Sequence, residues 1–332
     1  MNTNVWQGKN VLVTGADGFM GSHLSERLVN YGAKVTALIK NKKLIHGKNI
    51  PNLSNLDNIR SEIDMIFGDI GNIDTLDLIE RSKPNVIFHL AAEAYVNKSF
   101  EQPREVIRTN VDGTLNVLHA CMDKNKKPLE YIEQIVCTSS SEVYGTYNEP
   151  ISENFEMKPS SPYGASKAAA DRLAYSYFFT FNLPIAIIRP FNTFGPRHTY
   201  DAPPKFISLA YEDKDITIYG DGKQSRDLTY VDDMIDAFLI MGSDKKAIGQ
   251  AVNFGTGRDI QIKELAQKIK TILGSNSKII HLDPRLGEVK RLCCNPNKAK
   301  QLFNWEPKVN LEEGLKRNIE WFKEIKYANQ HC

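Results

Sequence analysis

The sequence predicts an α/β fold built on a doubly wound parallel sheet, followed by a smaller C-terminal α/β lobe. Two observations predict it. Short apolar runs alternate with stretches of helical spacing over the first 190 residues, as expected when helices cover both faces of a parallel sheet. The first apolar run, 10–14, also leads directly into a glycine-rich turn that opens a helix. This strand–turn–helix order is typical of the Rossmann class.

The remaining elements follow in the same rhythm. Further strands are predicted at 34–39, 64–67, 86–90, 132–138 and 185–189, and helices at 22–31, 73–81, 103–124 and 163–181. Four prolines between positions 190 and 204 then end the alternation and predict a loop-rich second lobe. Residues 251–254 form a strand that can return to the sheet, and helices follow at 262–273 and 311–325. We therefore expect a dinucleotide-binding domain at 1–190 with 226–257 returning to it, and a substrate lobe at 191–225 and 258–332.

Composition excludes several classes of protein. The 332 residues are 41% hydrophobic and 25% charged, and 42 basic against 40 acidic residues leave a formal charge of +2. A general nucleic-acid binder needs a more basic surface. The N-terminus has no basic segment leading into an apolar one, and no apolar run approaches the roughly 20 residues that span a bilayer. The five cysteines have no metal-type spacing. We expect free thiols, no bound metal, no membrane contact and a cytoplasmic location.

The glycine-rich turn predicts a dinucleotide site. Gly15, Gly18 and Gly21 let backbone N–H groups approach a pyrophosphate at the start of a helix, where Asp17, Phe19 and Met20 lie between them. The acidic residue expected about 20 positions later, which would bind the ribose 2′-hydroxyl, is missing.

Instead, lysines follow the second strand at positions 40, 42 and 43. Lys40 can neutralise a 2′-phosphate, which favours NADP; NAD stays open, because the lysines can also belong to a solvated basic loop. Asp69 and Ile70 follow the third strand, where Asp69 contacts the adenine or caps a helix. The residues after the fourth strand, Leu90, Ala91 and Ala92, allow close approach of the backbone to the cofactor, and His89 is expected to be structural.

Tyr163 and Lys167 are the candidate chemical pair. At a spacing of four they share one face of a helix. A phenol with a pKa of about 10 is a poor base at neutral pH, but a neighbouring ammonium lowers that pKa. Tyr163 can then take a proton from a sugar hydroxyl while a hydride leaves the same carbon. Lys167 can in addition hold the nicotinamide ribose.

Taken in order, several motifs identify the chain as a member of the extended short-chain dehydrogenase/reductases, the NAD-dependent epimerase/dehydratase family. Besides the glycine turn and the Tyr163/Lys167 pair, these motifs occupy residues 89–92, 110–114, 139–145, 189–192 and 218–233. The resemblance covers most of the chain. It implies a tightly bound, recycled nicotinamide cofactor and a nucleotide-sugar substrate. It also implies a homodimer paired through the helices at 103–124 and 163–181.

Within the family, the Ser140-Ser141-Glu142 triplet most resembles nucleotide-sugar 4,6-dehydratases, including the UDP-GlcNAc and GDP-mannose types. Simple 4-epimerases typically carry a small or apolar residue at the position of Glu142. The resemblance implies that Glu142 removes the C5 proton once C4 is a ketone, and that Ser140 polarises the C4 oxygen. Ser141 stands where many relatives have an acidic residue. The identity of the acid, and the choice between a 4-keto-6-deoxy and a 5,6-unsaturated product, therefore stay open.

Other readings of the same motifs remain. UDP-glucuronate decarboxylases share Ser-Glu-Val-Tyr-Gly but need cations over the substrate carboxylate, 4-epimerases share the Tyr/Lys pair, and a non-catalytic NADP sensor is the alternative of another class. In the second lobe, the resemblance assigns substrate contacts, chiefly to the diphosphate and the nucleoside base, to Asn192, Arg197, Tyr219, Arg226 and Arg285. Each arginine can instead form a surface ion pair.

Overall fold

The computed structural model describes residues 3–40 and 53–331. Its strands are β1 Asn10–Thr14, β2 Lys34–Ile39, β3 Asp64–Phe67, β4 Val86–His89, β5 Gln134–Thr138, β6 Ile185–Pro190, β7 Thr193–Phe194, β8 Ile216–Tyr219, β9 Ser225–Asp227, β10 Thr229–Tyr230, β11 Ala251–Phe254, β12 Asp259–Gln261, β13 Ile279–Leu282 and β14 Arg291–Leu292. Its helices are α1 Phe19–Asn30, α2 Thr75–Ser82, α3 Val96–Glu101, α4 Pro103–Ile107, α5 Gly113–His119, α6 Pro162–Phe181, α7 Ala202–Tyr211, α8 Val231–Ser243, α9 Ile262–Leu273, α10 Asn297–Phe303 and α11 Leu311–His331.

The central sheet has seven strands in the order β11-β6-β5-β4-β1-β2-β3. Parallel pairing places Val11 of β1 opposite both Val35 of β2 and Val86 of β4. The strand order reverses at β1, as in other doubly wound sheets. The predicted doubly wound parallel Rossmann sheet is confirmed, and the strand at 251–254 does return to it.

The sheet is held by apolar side chains that its strands share with the helices on its faces. Leu12, Ile87, Ile135 and Ile187 come from four strands and pack in one buried cluster with Val117 of α5. Strands covered on both faces are expected to be continuously apolar, and β1 is buried from Val11 to Thr14. This core fixes the carboxyl ends of the strands, where the candidate site residues lie.

One predicted helix is interrupted. Residues 103–124 were expected to form a single helix, but α4 leads into a π-helical turn, Arg108–Asp112, before α5, which ends at His119. A π-turn widens the helix and changes which side chains share a face. The second long helix agrees with expectation: α6 begins after Ser161, whose Oγ accepts the Gly164 N–H, and ends at Asn182 in the left-handed region.

The chain divides into two compact units. The first comprises residues 1–143, 161–189 and 235–252, and the second comprises 144–160, 190–234 and 253–332. These bounds differ from the predicted ones by one residue at position 190 and by more in two segments. Residues 144–160 belong to the second unit, and the segment that returns to the first unit is 235–252 rather than 226–257.

The second unit contains three small sheets, with the strand pairs β10-β7 and β13-β8 and the three-stranded set β12-β9-β14. The buried carboxylate of Asp227 on β9 holds two segments of this unit together. It accepts N–H bonds from Thr256 at 2.8 Å, Gly257 at 2.9 Å and Cys294 at 3.0 Å. Among the described helices of the chain, none combines the length and apolar character needed to cross a membrane.

Candidate active site

The glycine turn after β1 is shaped for close backbone approach. Gly15 has φ of +69°, and a Cβ there would lie 2.9 Å from Ala91 Cα. A Cβ on Gly21 would lie 2.2 Å from the Gly15 carbonyl oxygen, so neither position accepts a side chain without a shift. Gly18 precedes α1 in extended conformation. The result is a side-chain-free cradle at the start of a twelve-residue helix, which fits a dinucleotide pyrophosphate.

The other predicted residues of this turn lie at the same helix start. Phe19 and Met20 are the first two residues of α1, and both are partly buried. Phe19 packs edge-on against His23, with ring centroids 5.9 Å apart. The Asp17 carbonyl accepts a 3.0 Å hydrogen bond from Asn55. Leu90, Ala91 and Ala92 follow β4, the neighbour of β1.

A buried hydrogen-bond chain orders the ends of β1 and β4. The Thr114 hydroxyl donates to the Asn110 carbonyl at 2.7 Å, so its oxygen accepts from His89 Nε2, 3.0 Å away. His89 Nδ1 then accepts from the Thr14 hydroxyl at 2.9 Å, and Thr14 accepts the Ala91 N–H at 3.0 Å. Burial, aided by the charge of Lys167, lowers the pKa of His89 to about 3. His89 is therefore a neutral structural group.

The same series of hydrogen bonds continues to α6, the helix of Tyr163 and Lys167. The Asn110 side chain accepts the Glu93 N–H at 2.7 Å and donates to Ser166 Oγ at 2.9 Å. Ser166 donates to the Tyr163 carbonyl at 2.7 Å. Hydrogen bonds thus connect the strand that leads into the glycine turn to the first turn of α6.

Tyr163 and Lys167 lie on the buried side of α6, with only 9% and 5% of their surfaces exposed. The Lys167 ammonium donates to the Thr138 carbonyl at the end of β5. Burial lowers the pKa of Lys167 to about 8, although Cys137 and Asp171 oppose the shift. The lysine is thus held at one place, and its charge is lost at a lower pH than that of a solvated lysine.

A buried ion pair lies one helical turn beyond Lys167. Asp171 accepts two hydrogen bonds from Arg189 of β6, at 2.8 Å and 3.0 Å. Burial opposes ionisation of Asp171, but the bonds from Arg189 hold the pKa of its carboxyl below the usual value. This pair connects α6 to β6 of the sheet. The negative charge of Asp171 also opposes the lowering of the Lys167 pKa.

The serine–glutamate triplet forms a tight turn after β5. Ser141–Val143 is a single 3-10 turn, and the Glu142 N–H bonds to Ser140 Oγ at 3.2 Å. Ser140 and Ser141 are buried, whereas Glu142 keeps partial exposure. The turn packs against α6. Glu142 therefore lies just beyond the carboxyl end of β5, on the 3-10 turn that packs against α6, the helix of Tyr163.

Asp69, predicted at the adenine, belongs to a four-residue ion-pair network. Its carboxylate pairs with Lys40 at 3.1 Å and with Arg108 at 2.8 Å, and Glu105 binds the same two cations. Asp69 also accepts the Gly71 N–H at 3.0 Å, so it organises its own loop. Its neighbour Ile70 is buried. The other two lysines of the predicted basic cluster, Lys42 and Lys43, lie outside the described residues.

The second unit brings two of the five predicted substrate residues into direct contact. The Arg285 guanidinium stacks 3.9 Å from the centroid of the Tyr219 ring, and the Lys205 ammonium lies 5.2 Å from the same centroid. Arg226 donates to the backbone carbonyls of Ser225 at 2.9 Å and Val289 at 2.8 Å. It therefore anchors the segment that carries Arg285.

Asn192 and Arg197 lie in the connection between β6 and α7. Asn192 Oδ1 is buried without a hydrogen-bond partner among the described residues, which leaves an acceptor to be satisfied. Arg197 is in the left-handed region with φ of +69°, and Asp201 has φ of +73°. Non-glycine residues rarely adopt such angles, and they occur preferentially at ligand sites.

The sequence reasoning did not identify several residues that the structure adds to the site. Arg108 and Glu105 surround Asp69. Ser166 connects Tyr163 to Asn110, for which the sequence indicated only membership of the motif at 110–114. The spacing of three between Glu105 and Arg108 on a helix was an available signal. Among the described residues, no group of three or more His, Cys, Asp or Glu side chains is arranged to hold a metal ion.

The glycine cradle and the Tyr/Lys helix define a dinucleotide-dependent enzyme of the short-chain dehydrogenase/reductase class. Residues 12–318 match the family model described as GDP-mannose 4,6 dehydratase. The chain therefore belongs to this epimerase/dehydratase family of nucleotide-sugar enzymes, as the sequence motifs predicted.

Individual relatives catalyse different reactions. A UDP-N-acetyl-alpha-D-glucosaminuronate decarboxylase of Bacillus cytotoxicus is 35% identical, over 96% of this chain and 98% of the relative. The dTDP-glucose 4,6-dehydratase of Streptomyces venezuelae, solved with NAD bound, superposes with a TM-score of 0.86 at 27% identity, over 96% and 98% of the chains. The UDP-glucuronic acid 4-epimerase of Bacillus cereus, solved with UDP-glucuronic acid and NAD, gives 0.85 at 30% identity, over 95% and 99%. The family is thus established, and the reaction has to be argued from the site.

Proposed function

We propose that this protein is a nucleotide-sugar 4,6-dehydratase. The observation that carries the proposal is the position of Glu142, a partly exposed carboxylate on a turn that packs against the helix of Tyr163 and Lys167. Elimination of water from C5 and C6 requires a base for the C5 proton in addition to the base that serves C4. Glu142 has the carboxylate that such a base requires, and it lies on the turn that packs against α6.

A nicotinamide dinucleotide fits the first unit, because the cradle at Gly15, Gly18 and Gly21 leaves no room for side chains. When bound, it accepts a hydride from the sugar and later returns it. Asp17, Phe19 and Met20 would lie beside it at the start of α1, and Asp69 near its adenine. The NADP prediction rested on Lys40, which pairs with Asp69 and Glu105. The solved relatives above carry NAD, so we propose NAD.

Tyr163 acts first in the proposed reaction. Its phenolate oxygen takes the proton of the C4 hydroxyl, and C4 becomes a ketone. Lys167, fixed by the Thr138 carbonyl, provides the positive charge that favours the phenolate. In this proposal Ser140 donates a hydrogen bond to the C4 oxygen.

Glu142 acts second. The C4 ketone makes the C5 proton acidic; the Glu142 carboxylate removes it, and the C6 hydroxyl leaves as water. The proton on that water comes from Glu142 itself, because the neighbouring Ser141 hydroxyl is a much weaker acid than a carboxyl group. A 4-keto-6-deoxy sugar would form if C6 received the hydride and Glu142 relayed a proton from solvent to C5. A 5,6-unsaturated sugar would form if C4 received the hydride and Tyr163 returned its proton to the C4 oxygen.

A second candidate reaction is decarboxylation of a nucleotide-linked uronic acid, favoured by the 35% identical relative. Such an enzyme needs a cation for the substrate carboxylate. Lys98 of α3, which packs against α6, is paired with Glu93, and Lys167 is bound to Thr138. Each of these two described lysines already has a partner, so the cation that decarboxylation requires would have to come from another residue. A 4-epimerase would not require Glu142, and a non-catalytic sensor would not require Tyr163, Lys167 and Glu142 together.

Residues of the second unit are the proposed nucleotide-binding groups. Arg285 and Arg226 have the charge that a diphosphate requires, and the stack of exposed Arg285 on half-buried Tyr219 offers a flat surface for a base. Asn192 and Arg197 are proposed to contact the phosphates. UDP-GlcNAc is the substrate we propose to test first, and pairing of two copies through α4, α5 and α6 remains our expectation for the assembly.

The assignment of Glu142 is tested with Glu142→Gln, using Glu149→Gln as a control that removes the same charge from an exposed position. NMR in deuterated water follows exchange of the sugar C5 proton, and a C4-deuterated substrate reports hydride transfer. We expect Glu142→Gln to lose C5 exchange and water loss while transfer from C4 persists, and Glu149→Gln to match the wild type. Normal elimination by Glu142→Gln would overturn the proposal.

A further inference from the structure

In the ion-pair network around Asp69, two cations and two carboxylates pair with one another. Arg108 binds Glu105 through Nε at 3.0 Å and through a terminal nitrogen at 2.9 Å, and it also binds Asp69 at 2.8 Å. Lys40 lies 3.2 Å from Glu105 and 3.1 Å from Asp69. Two cations and two carboxylates therefore neutralise each other, and each cation has two anionic partners.

The network occupies the part of the fold that distinguishes the two dinucleotides. Lys40 is the first residue after β2, and Asp69 follows the adjacent strand β3. In doubly wound sheets the end of the second strand faces the adenosine ribose, where an acid favours a 2′-hydroxyl and a base favours a 2′-phosphate. The two described cations of the network belong to this region, but both are committed to carboxylates.

Glu105 differs from Asp69 in what else it does. Asp69 organises its own loop through the Gly71 N–H. Glu105 projects from α4, directly before the π-turn that carries Arg108, and its principal partners are Arg108 and Lys40. Hydrogen bonds from Arg108 and Lys40 lower the pKa of Glu105 to about 2, so it is ionised at every physiological pH.

We propose that Glu105 determines the choice between NAD and NADP. Its carboxylate holds Lys40 and Arg108 away from a 2′-phosphate and adds a repelling negative charge beside it. Removal of that charge would leave two cations for one carboxylate, a net positive environment that favours NADP. The inference rests on the proposed dinucleotide site, and it concerns binding rather than turnover.

The test is a competition for binding. Purified protein is equilibrated with equal concentrations of NAD and NADP, free dinucleotide is removed, and the bound dinucleotides are extracted and quantified by mass spectrometry. The wild type should hold mainly NAD. Glu105→Gln should raise the bound NADP-to-NAD ratio by about tenfold or more, equivalent to about 1.4 kcal/mol. Glu101→Gln, an exposed carboxylate four residues earlier, should leave the ratio unchanged.

Two further variants keep the result interpretable. Lys40→Gln in the wild-type background should lower the ratio, and Lys40→Gln combined with Glu105→Gln should remove most of the gain, because Lys40 is the cation released. Equal ratios in the wild type and Glu105→Gln, with dinucleotide bound to both, would overturn this inference and leave the proposed function intact. Failure of the wild type to retain either dinucleotide would overturn the proposed function itself.

Discussion

Replacement of Lys167 by methionine should make the protein more stable while it removes activity. The pKa of Lys167 is lowered from 10.5 to about 8, chiefly by burial. Because a pKa difference of one between the folded and unfolded states corresponds to about 1.4 kcal/mol, the charged form of this lysine destabilises the folded state by about 3 kcal/mol at neutral pH. Methionine has a similar length and no charge. It forfeits the hydrogen bond to the Thr138 carbonyl, which contributes about 1 kcal/mol.

The net expectation for Lys167→Met is a gain of about 1–2 kcal/mol in the free energy of unfolding at pH 7, measured by urea denaturation. Between pH 8 and 10.5 the unfolded state binds more protons at this lysine than the folded state does. The wild type therefore gains stability from this group as the pH rises, and the advantage of the variant should disappear by about pH 10.5. Subtracting the free energy of unfolding of the wild type from that of the variant at each pH removes the contribution of the other titrating groups. Lys124→Met, at an exposed position, serves as the control. A variant that is less stable than the wild type, with a difference independent of pH, would show that the buried charge of Lys167 does not destabilise the folded state.

The other predictions concern the hydrogen-bond chain, the glycine cradle and the pH dependence of activity. His89→Leu removes one of the two hydrogen-bond partners from each of the buried hydroxyls of Thr14 and Thr114, so it should lower the free energy of unfolding by about 2–4 kcal/mol in urea denaturation at pH 7. The pKa of His89 is about 3 in the folded state and 6.5 in the unfolded state, so the wild type loses stability as the pH falls below 6.5. The difference in free energy of unfolding between the wild type and His89→Leu should therefore narrow with falling pH. A difference that stays constant would contradict this expectation. Gly21→Ala places a Cβ 2.2 Å from the Gly15 carbonyl oxygen, so equilibrium dialysis should show dinucleotide affinity reduced by about tenfold or more, whereas near-normal affinity would contradict the proposed cradle. Turnover should decline above about pH 8 as Lys167 loses its charge, and a steady-state profile that stays flat to pH 10 would exclude the role given to that ammonium.

Much of the fold was predictable because buried parallel strands carry a strong local signal. The strands at 10–14, 34–39, 64–67 and 251–254 have the bounds that their apolar runs indicate. The start of α1 was less accurate, since the helix begins at Phe19 rather than Ser22: the backbone of Gly18, not a polar side chain, precedes it. The π-turn at Arg108–Asp112 was not predictable, because its side chains bond to residues distant in the sequence.

The candidate site divides in the same way. Tyr163, Lys167 and the glycine turn could be proposed from the sequence because each motif is local and each spacing has one physical reason. The role of Lys40 was not predictable, since its two carboxylate partners lie on β3's following loop and on α4, 29 and 65 positions away. The neutral state of His89 depends likewise on burial and on hydroxyl partners from two other elements. Charge pairing across strands is a tertiary property that residue spacing does not reveal.

In the proposed reaction Glu142 directs the transient ketone to eliminate water. The decisive measurement is the mass of the product formed when the wild-type protein is incubated with UDP-GlcNAc, GDP-mannose and UDP-glucuronate in separate reactions. We expect one of the two hexose substrates to lose the mass of water, without net consumption of dinucleotide. Loss of carbon dioxide from UDP-glucuronate would instead identify a decarboxylase, and an unchanged mass with inverted C4 would identify a 4-epimerase.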